Sequence, residues 1–212
     1  MRPFLDLSLY LVTDTRLCGD RGVAATVAAA VKGGVTAVQL RDPGADARAL
    51  FSLGRAIQAE LDGTGVPLIV NDRLDVAVWL GAEGVHLGQR DVSPEVARRL
   101  LGPDAFVGLS VSRCEQLADV SDAVDHLGVG PVFAQSTKPD ADVPIGLGGL
   151  ARIVRESPLP SVAIGGIGVA EAAEVMGCGV AGIAVVSAVC GQPDPGVAAR
   201  SLVDALGQGV SA

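Results

Sequence analysis

Short apolar runs rich in Val, Ile and Leu recur along this 212-residue chain, separated by longer stretches that carry Ala, Leu, Arg and Glu at helical spacing. A brief apolar run bounded by turn residues reads as a buried strand, whereas apolar positions three and four apart read as one face of a helix. Strands are predicted near residues 9–14, 37–41, 68–72, 84–87, 106–111, 127–132, 162–165 and 182–186. Helices are predicted at 23–32, 46–61, 94–101 and 169–176, with a short one at 74–80 and a closing one at 197–206. Pro94 suits the first turn of its helix, with Ser93 as the N-cap.

Eight strands alternating with helices imply a parallel sheet, and the count matches a closed barrel. The predicted class is therefore α/β, a (β/α)8 TIM barrel made by residues 1–212 as one domain. A doubly wound open sheet is the fallback, but no Gly-x-Gly-x-x-Gly turn follows the first strand. The longest break between strands is 133–160; its first part, rich in Pro, Gly and Asp, reads as a loop over the barrel mouth. Residues 148–156 have helical character.

Composition narrows the picture. The chain is 49% hydrophobic but only 3% aromatic, so small and branched side chains must fill its core. With 24 acidic against 16 basic residues, the net charge of −8 excludes the basic footprint of a nucleic-acid binder. An acidic protein that handles an anion must gather its few cations locally or recruit a metal. Cys18, Cys114, Cys178 and Cys190 show no CxxC spacing and read as buried or bystander thiols of a reducing compartment. The N-terminus lacks a signal-peptide pattern and no run is long enough for a membrane span, so a cytoplasmic location is expected. Trp79 reads as packing a helix on the barrel. A homo-oligomer is compatible with the sequence, which does not fix it.

Barrels concentrate their chemistry at the C-terminal ends of strands, so polar residues there carry weight. Asp72 follows the third strand and Asp91 the fourth. Singly, each reads as well as a helix cap or helix-start residue; together at one mouth they suit Mg²⁺ carrying a pyrophosphate, with Arg41 and Lys138 close by. Gln39 and Arg41 alternate onto one face of strand two, and Arg41 can meet an anion bidentately or pair with Asp42 or Asp72. Ser110 ends strand five, and Thr137-Lys138 follows strand six. Gly165-Gly166 after strand seven and Ser187 after strand eight suit a phosphate grip, although the glycines also serve a tight turn. His86 reads as an interior histidine, and His126 has no acid partner near it in sequence.

The ordered set Leu9-Tyr10-Leu11-Val12-Thr13-Asp14, Val38-Gln39-Leu40-Arg41, Asn71-Asp72-Arg73, Gly84-Val85-His86-Leu87-Gly88-Gln89 with Asp91, Gly130-Pro131-Val132-Phe133 with Thr137-Lys138, Ala163-Ile164-Gly165-Gly166-Ile167 and Ala184-Val185-Val186-Ser187-Ala188 resembles the thiamine-phosphate synthase family. The resemblance implies a TIM barrel that joins an aminopyrimidine diphosphate to a thiazole phosphate and releases pyrophosphate. It implies Asp72 and Asp91 as Mg²⁺ ligands, and Gln39, Arg41, Asn71, Ser110 and Lys138 as the pyrimidine diphosphate site. Arg41, Lys138 and Ser110 are the catalytic candidates; the resemblance implies Thr137, Gly166, Val186 and Ser187 on the thiazole phosphate side, with Gln135 a further substrate-binding candidate. Three positions depart from the family pattern: Pro43 replaces a lysine, Ser112 a histidine and Gln135 a threonine. A thiazole tautomerase-like relative and a catalytically silent phosphate-ligand barrel are the competing readings.

Overall fold

A computed structural model describes residues 5–137 and 142–208. Eight four- to six-residue strands are present: β1 (Leu9–Val12), β2 (Ala37–Leu40), β3 (Leu68–Asn71), β4 (Gly84–Leu87), β5 (Phe106–Val111), β6 (His126–Val129), β7 (Ser161–Ile164) and β8 (Gly182–Val185). Each pairs in parallel with the next, and β8 closes on β1 through Leu9–Ile183 and Leu11–Val185. Closure removes the open-sheet alternative.

The connecting helices are α1 (Thr15–Cys18), α2 (Val23–Lys32), α3 (Ala47–Leu61), α4 (Leu74–Leu80), α5 (Pro94–Leu101), α6 (Gly146–Glu156), α7 (Val169–Met176), α8 (Ser187–Cys190) and α9 (Pro195–Gln208). Asp46 starts α3 by accepting a hydrogen bond from the Ala49 amide at 2.8 Å. Ser93 holds the expected N-cap position of α5, yet its side chain makes no cap hydrogen bond; Pro94 is already preset for the first turn. Between β5 and β6 a short 3₁₀ segment, Cys114–Asp119, stands where the repeat has an α-helix elsewhere.

Strand pairing sorts the core into two shells. Leu9, Leu11, Val38, Leu40, Val70 and Val85 face outward and pack under the helices. Tyr10, Val12, Ala37, Ile69, Phe106, Val162 and Ala184 fill the bore. The register Ile69–Gly84–Phe106 and His86–Gly108–His126 alternates large and absent side chains around it. A Cβ on Gly108 would lie 2.3 Å from His86 Nδ1 and 2.5 Å from His126 Nε2, so two imidazoles fit only because that position has no side chain.

The prediction for Trp79 is corrected. It lies 58% exposed, because α4 turns Leu74, Val76, Ala77 and Leu80 to the barrel and carries Trp79 on its outer face.

The end of the barrel where strands begin is fastened by Arg98. Its guanidinium donates to the carbonyls of Gly102, Ala105 and Ala123 and to Asp125 Oδ2, which also accepts from the Val107 amide. One side chain thus ties the end of α5 to the starts of β5 and β6.

Candidate functional site

The strand ends gather most of the predicted residues at one mouth. Gln39 on β2, Asn71 on β3 and Ser110 on β5 share the bore-facing parity of their strands. Arg41 lies one residue past β2 and is held by its backbone: its amide donates to Thr13 Oγ1 at 2.9 Å, and the Thr13 hydroxyl donates back to its carbonyl at 3.2 Å. Neither Asp42 nor Asp72 pairs with the Arg41 guanidinium, for which no ion pair or hydrogen bond occurs among the described residues.

Beneath these groups lies a polar column that sequence reading did not assemble. Gln39 Nε2 donates to Tyr10 Oη at 3.2 Å, and the Tyr10 ring stands 6.1 Å from His126. His126 in turn lies 5.7 Å from His86, whose Nε2 shares a hydrogen bond of 3.0 Å with Ser110 Oγ. His86 is the interior histidine expected. His126 is fully buried with neither ring nitrogen hydrogen-bonded, and that desolvation pushes its pKa down to about 4, so the ring is neutral. Burial likewise drives the Tyr10 phenol above its ordinary range. The column links Gln39 to Ser110 across the bore.

Asp72 and Asp91 stand on adjacent strands' exits. Asp72 is the one non-glycine with positive φ among the described residues, at +59°. Its backbone is pinned there: its amide donates to the His86 carbonyl at 2.8 Å, and its carbonyl accepts from Leu74 at 3.0 Å. Left-handed backbone costs an L-residue about 1–2 kcal/mol, least for Asp and Asn, and such outliers cluster at functional sites. The helix-cap reading of Asp72 fails, since Arg73 occupies the N-cap of α4 and no side chain caps it. Asp91 is not a helix cap either: its Oδ2 accepts from the Gly88 amide at 2.6 Å and closes the turn after β4. Gln89 Nε2 then fastens that turn to the Ser110 carbonyl at 2.7 Å.

On the opposite side, Gly165 and Gly166 have φ of +104° and +66°. The space a Cβ of Gly166 would need is taken by the Ala134 carbonyl at 2.6 Å and Phe133 Cβ at 2.8 Å, so the tight-turn reading accounts for this glycine on packing alone. Val186 precedes α8 and Ser187 is its exposed first residue. Thr137 donates its hydroxyl to Gln135 Oε1 at 2.9 Å, which joins the two predicted loop residues. Lys138 lies outside the described residues. Ser112, another departure from the family pattern, donates to Asp142 Oδ2 at 2.7 Å and ties the start of the 3₁₀ segment to the stretch that precedes α6.

A cavity of about 400 Å³ opens between the exits of β1, β2 and β6, with Arg41, Pro43, Ser136 and Thr137 on its walls. Arg16 of α1 is there too, a position sequence reading missed because a four-residue helix has no periodicity to detect. A larger cavity of about 660 Å³ lies at the opposite end of the barrel, beside Asp62, Glu83 and Asp104, away from every strand exit. Among the described residues no helix is long and apolar enough to cross a membrane.

Comparison with known proteins places the fold in a family. The profile of the family described as thiamine monophosphate synthase matches residues 9–189. The chain is 54% identical to the thiamine-phosphate synthase of Azorhizobium caulinodans over 201 residues, covering 94% of each. It is 52% identical to that of Xanthobacter autotrophicus, covering 97% of each. Among solved structures, the thiamine phosphate pyrophosphorylase of Pyrococcus furiosus superposes with a TM-score of 0.86 at 36% identity, covering 98% of each chain.

Proposed function

The chain belongs to the thiamine monophosphate synthase family, and from that premise we propose that it couples an aminopyrimidine methyl diphosphate to a thiazole phosphate, yielding thiamine phosphate and pyrophosphate. This is an alkyl transfer, for which we propose a cytoplasmic setting. The bond broken joins the pyrimidine methylene to a diphosphate oxygen. Its electron pair leaves with pyrophosphate, and the methylene cation is taken by the thiazole nitrogen lone pair. An electron-rich ring stabilises that cation itself, so no protein nucleophile is needed. What the protein must supply is a counter-charge for the leaving group and a dry slot for the two rings.

The residues present fit Mg²⁺. Hard carboxylate oxygens are its preferred ligands, and it is commonly held by one or two of them with substrate phosphates and water completing the shell. Asp72 and Asp91 are two such groups, and among the described residues no cluster of three or more acidic, His or Cys side chains offers a closed protein cage. Bound there with the diphosphate, Mg²⁺ would neutralise charge growing on the departing oxygens. Arg41 and Lys138 are assigned to the same anion. Gln39, Asn71 and Ser110 hold the pyrimidine and its diphosphate, with Ser110 oriented by His86. Gln135, Thr137, Gly166, Val186 and Ser187 seat the thiazole phosphate.

The observation that carries the reading is the left-handed Asp72 beside the Asp91 turn at neighbouring strand exits. The test is purified protein with both substrates and Mg²⁺, with thiamine phosphate measured as product. A protein that forms none, while isomerising or merely binding the thiazole phosphate, would defeat it.

A further inference from the structure

We infer that Arg16 is a second substrate-contacting cation of this site and shares the pyrimidine diphosphate with Arg41. The inference rests on the reaction proposed above and names a residue which that reading does not use.

Arg16 and Arg41 line the same 400 Å³ cavity, reached from different strands. α1 is positioned firmly: Asp14 accepts from the Leu17 amide at 2.9 Å, and the Thr15 hydroxyl donates to Asp42 Oδ2 at 2.8 Å. The second bond ties the exit of β1 to the exit of β2, so the two arginines belong to one bracketed unit. Asp14 and Asp42 are the acids on the cavity wall, and both are engaged by the chain's own turns, Asp42 also accepting from the Gly44 amide at 3.1 Å. Among the described residues neither the Arg16 nor the Arg41 guanidinium has an ion pair or hydrogen bond.

That pairing pattern is informative in this particular chain. Acidic residues outnumber basic ones 24 to 16, yet two arginines line one concave space and, among the described residues, neither is paired with a carboxylate. Guanidinium donors match phosphoryl oxygens in geometry as well as charge. A diphosphate, with oxygens on two phosphorus centres, can be gripped from two walls at once, which a monophosphate does less well. Pro43 also lies on this wall and brings no charge. Arg16 thus restores a cation to the diphosphate side from a different strand exit.

The test uses Arg16→Ala, Arg16→Lys and the double variant Arg16→Ala/Pro43→Lys in steady-state kinetics, with calorimetry of inorganic pyrophosphate in the presence of Mg²⁺. Arg16→Ala is expected to raise KM for the pyrimidine diphosphate by about tenfold, the lower end for a hydrogen bond to a charged group at an exposed site. KM for the thiazole phosphate should stay within about twofold of the parent. Arg16→Lys and the double variant should each recover part of the loss. Unchanged KM values, or a rise confined to the thiazole phosphate, would overturn the inference. If the parent protein forms no thiamine phosphate, the reaction reading fails by itself, and calorimetry still decides: pyrophosphate bound about tenfold more weakly by Arg16→Ala supports the anion contact, and equal affinity overturns it.

Discussion

Replacing Asp72 separates the backbone of the site from its chemistry. The residue sits at φ +59° with its amide and carbonyl both hydrogen-bonded, so a substitution changes the side chain without releasing the conformation. Asn tolerates left-handed backbone as Asp does, and Asp72→Asn should leave stability within about 0.5 kcal/mol of the parent. Ala lacks that tolerance and should cost about 1 kcal/mol, a fall of about 2–4 °C in Tm for a chain of this size. Gly removes the steric cost but adds unfolded-state entropy, so Asp72→Gly should match or exceed the parent. Activity should follow another order. All three lose a carboxylate ligand, and Mg²⁺-dependent product formation should fall at least about a hundredfold in each. Thermal unfolding followed by circular dichroism gives the first series, and product formation against Mg²⁺ concentration the second. Full activity in Asp72→Asn would refute the ligand role; equal Tm for the Ala and Gly variants would refute the stored strain.

Three further outcomes follow from the packing. Arg98→Ala should destabilise by about 3 kcal/mol or more, read by chemical denaturation, because it takes the guanidinium from the largely buried Asp125 carboxylate and frees carbonyls at the base of β5 and β6. Stability should fall on acidification between about pH 6.5 and 4: the unfolded chain protonates His126 from its ordinary pKa, the folded chain holds it neutral down to about 4, and the difference reaches about 3 kcal/mol. His126→Phe should flatten that slope in denaturation curves measured across the same range, and an unchanged slope would place the acid sensitivity elsewhere. Gly108→Ala, whose added methyl meets both imidazoles at under 2.6 Å, should cost at least about 1–3 kcal/mol in the same denaturation assay and lower activity by displacing Ser110 through His86.

The barrel was legible because its outward face is continuously apolar, which made each strand a visible run. The predicted ends overshot at Thr13, Arg41 and Asp72 because those residues leave the ladder to build the mouth while still following the apolar run. The opposite error occurs at His126, one residue before the predicted strand: it opens β6 and faces the bore. Helices of seven residues or more were found, and the four-residue α1 and α8 were not, since one turn leaves no repeat to read. At the site, residue identities were legible at strand exits and spatial relations were not. The Gln39–Tyr10–His126–His86–Ser110 column joins five strands across the bore, and no local spacing encodes it.

The two ends of the barrel divide the work. Where strands begin, Arg98 satisfies several carbonyls with one buried cation and fixes the register of β5 and β6. Where strands end, the features each cost stability: a left-handed aspartate and two guanidiniums with no counter-ion among the described residues, above a histidine desolvated inside the bore. None of these is explained by folding, since a glycine, a phenylalanine or an ion-paired arginine would cost no more in each place. Uncompensated features accumulate on a rigid scaffold where a ligand completes them, and a multiply charged leaving group with a divalent ion would complete all the charged ones together. Binding of inorganic pyrophosphate with Mg²⁺ should therefore raise Tm with the logarithm of one plus the ratio of ligand concentration to Kd, and substitutions at Arg98 should lower the starting Tm without changing that increment.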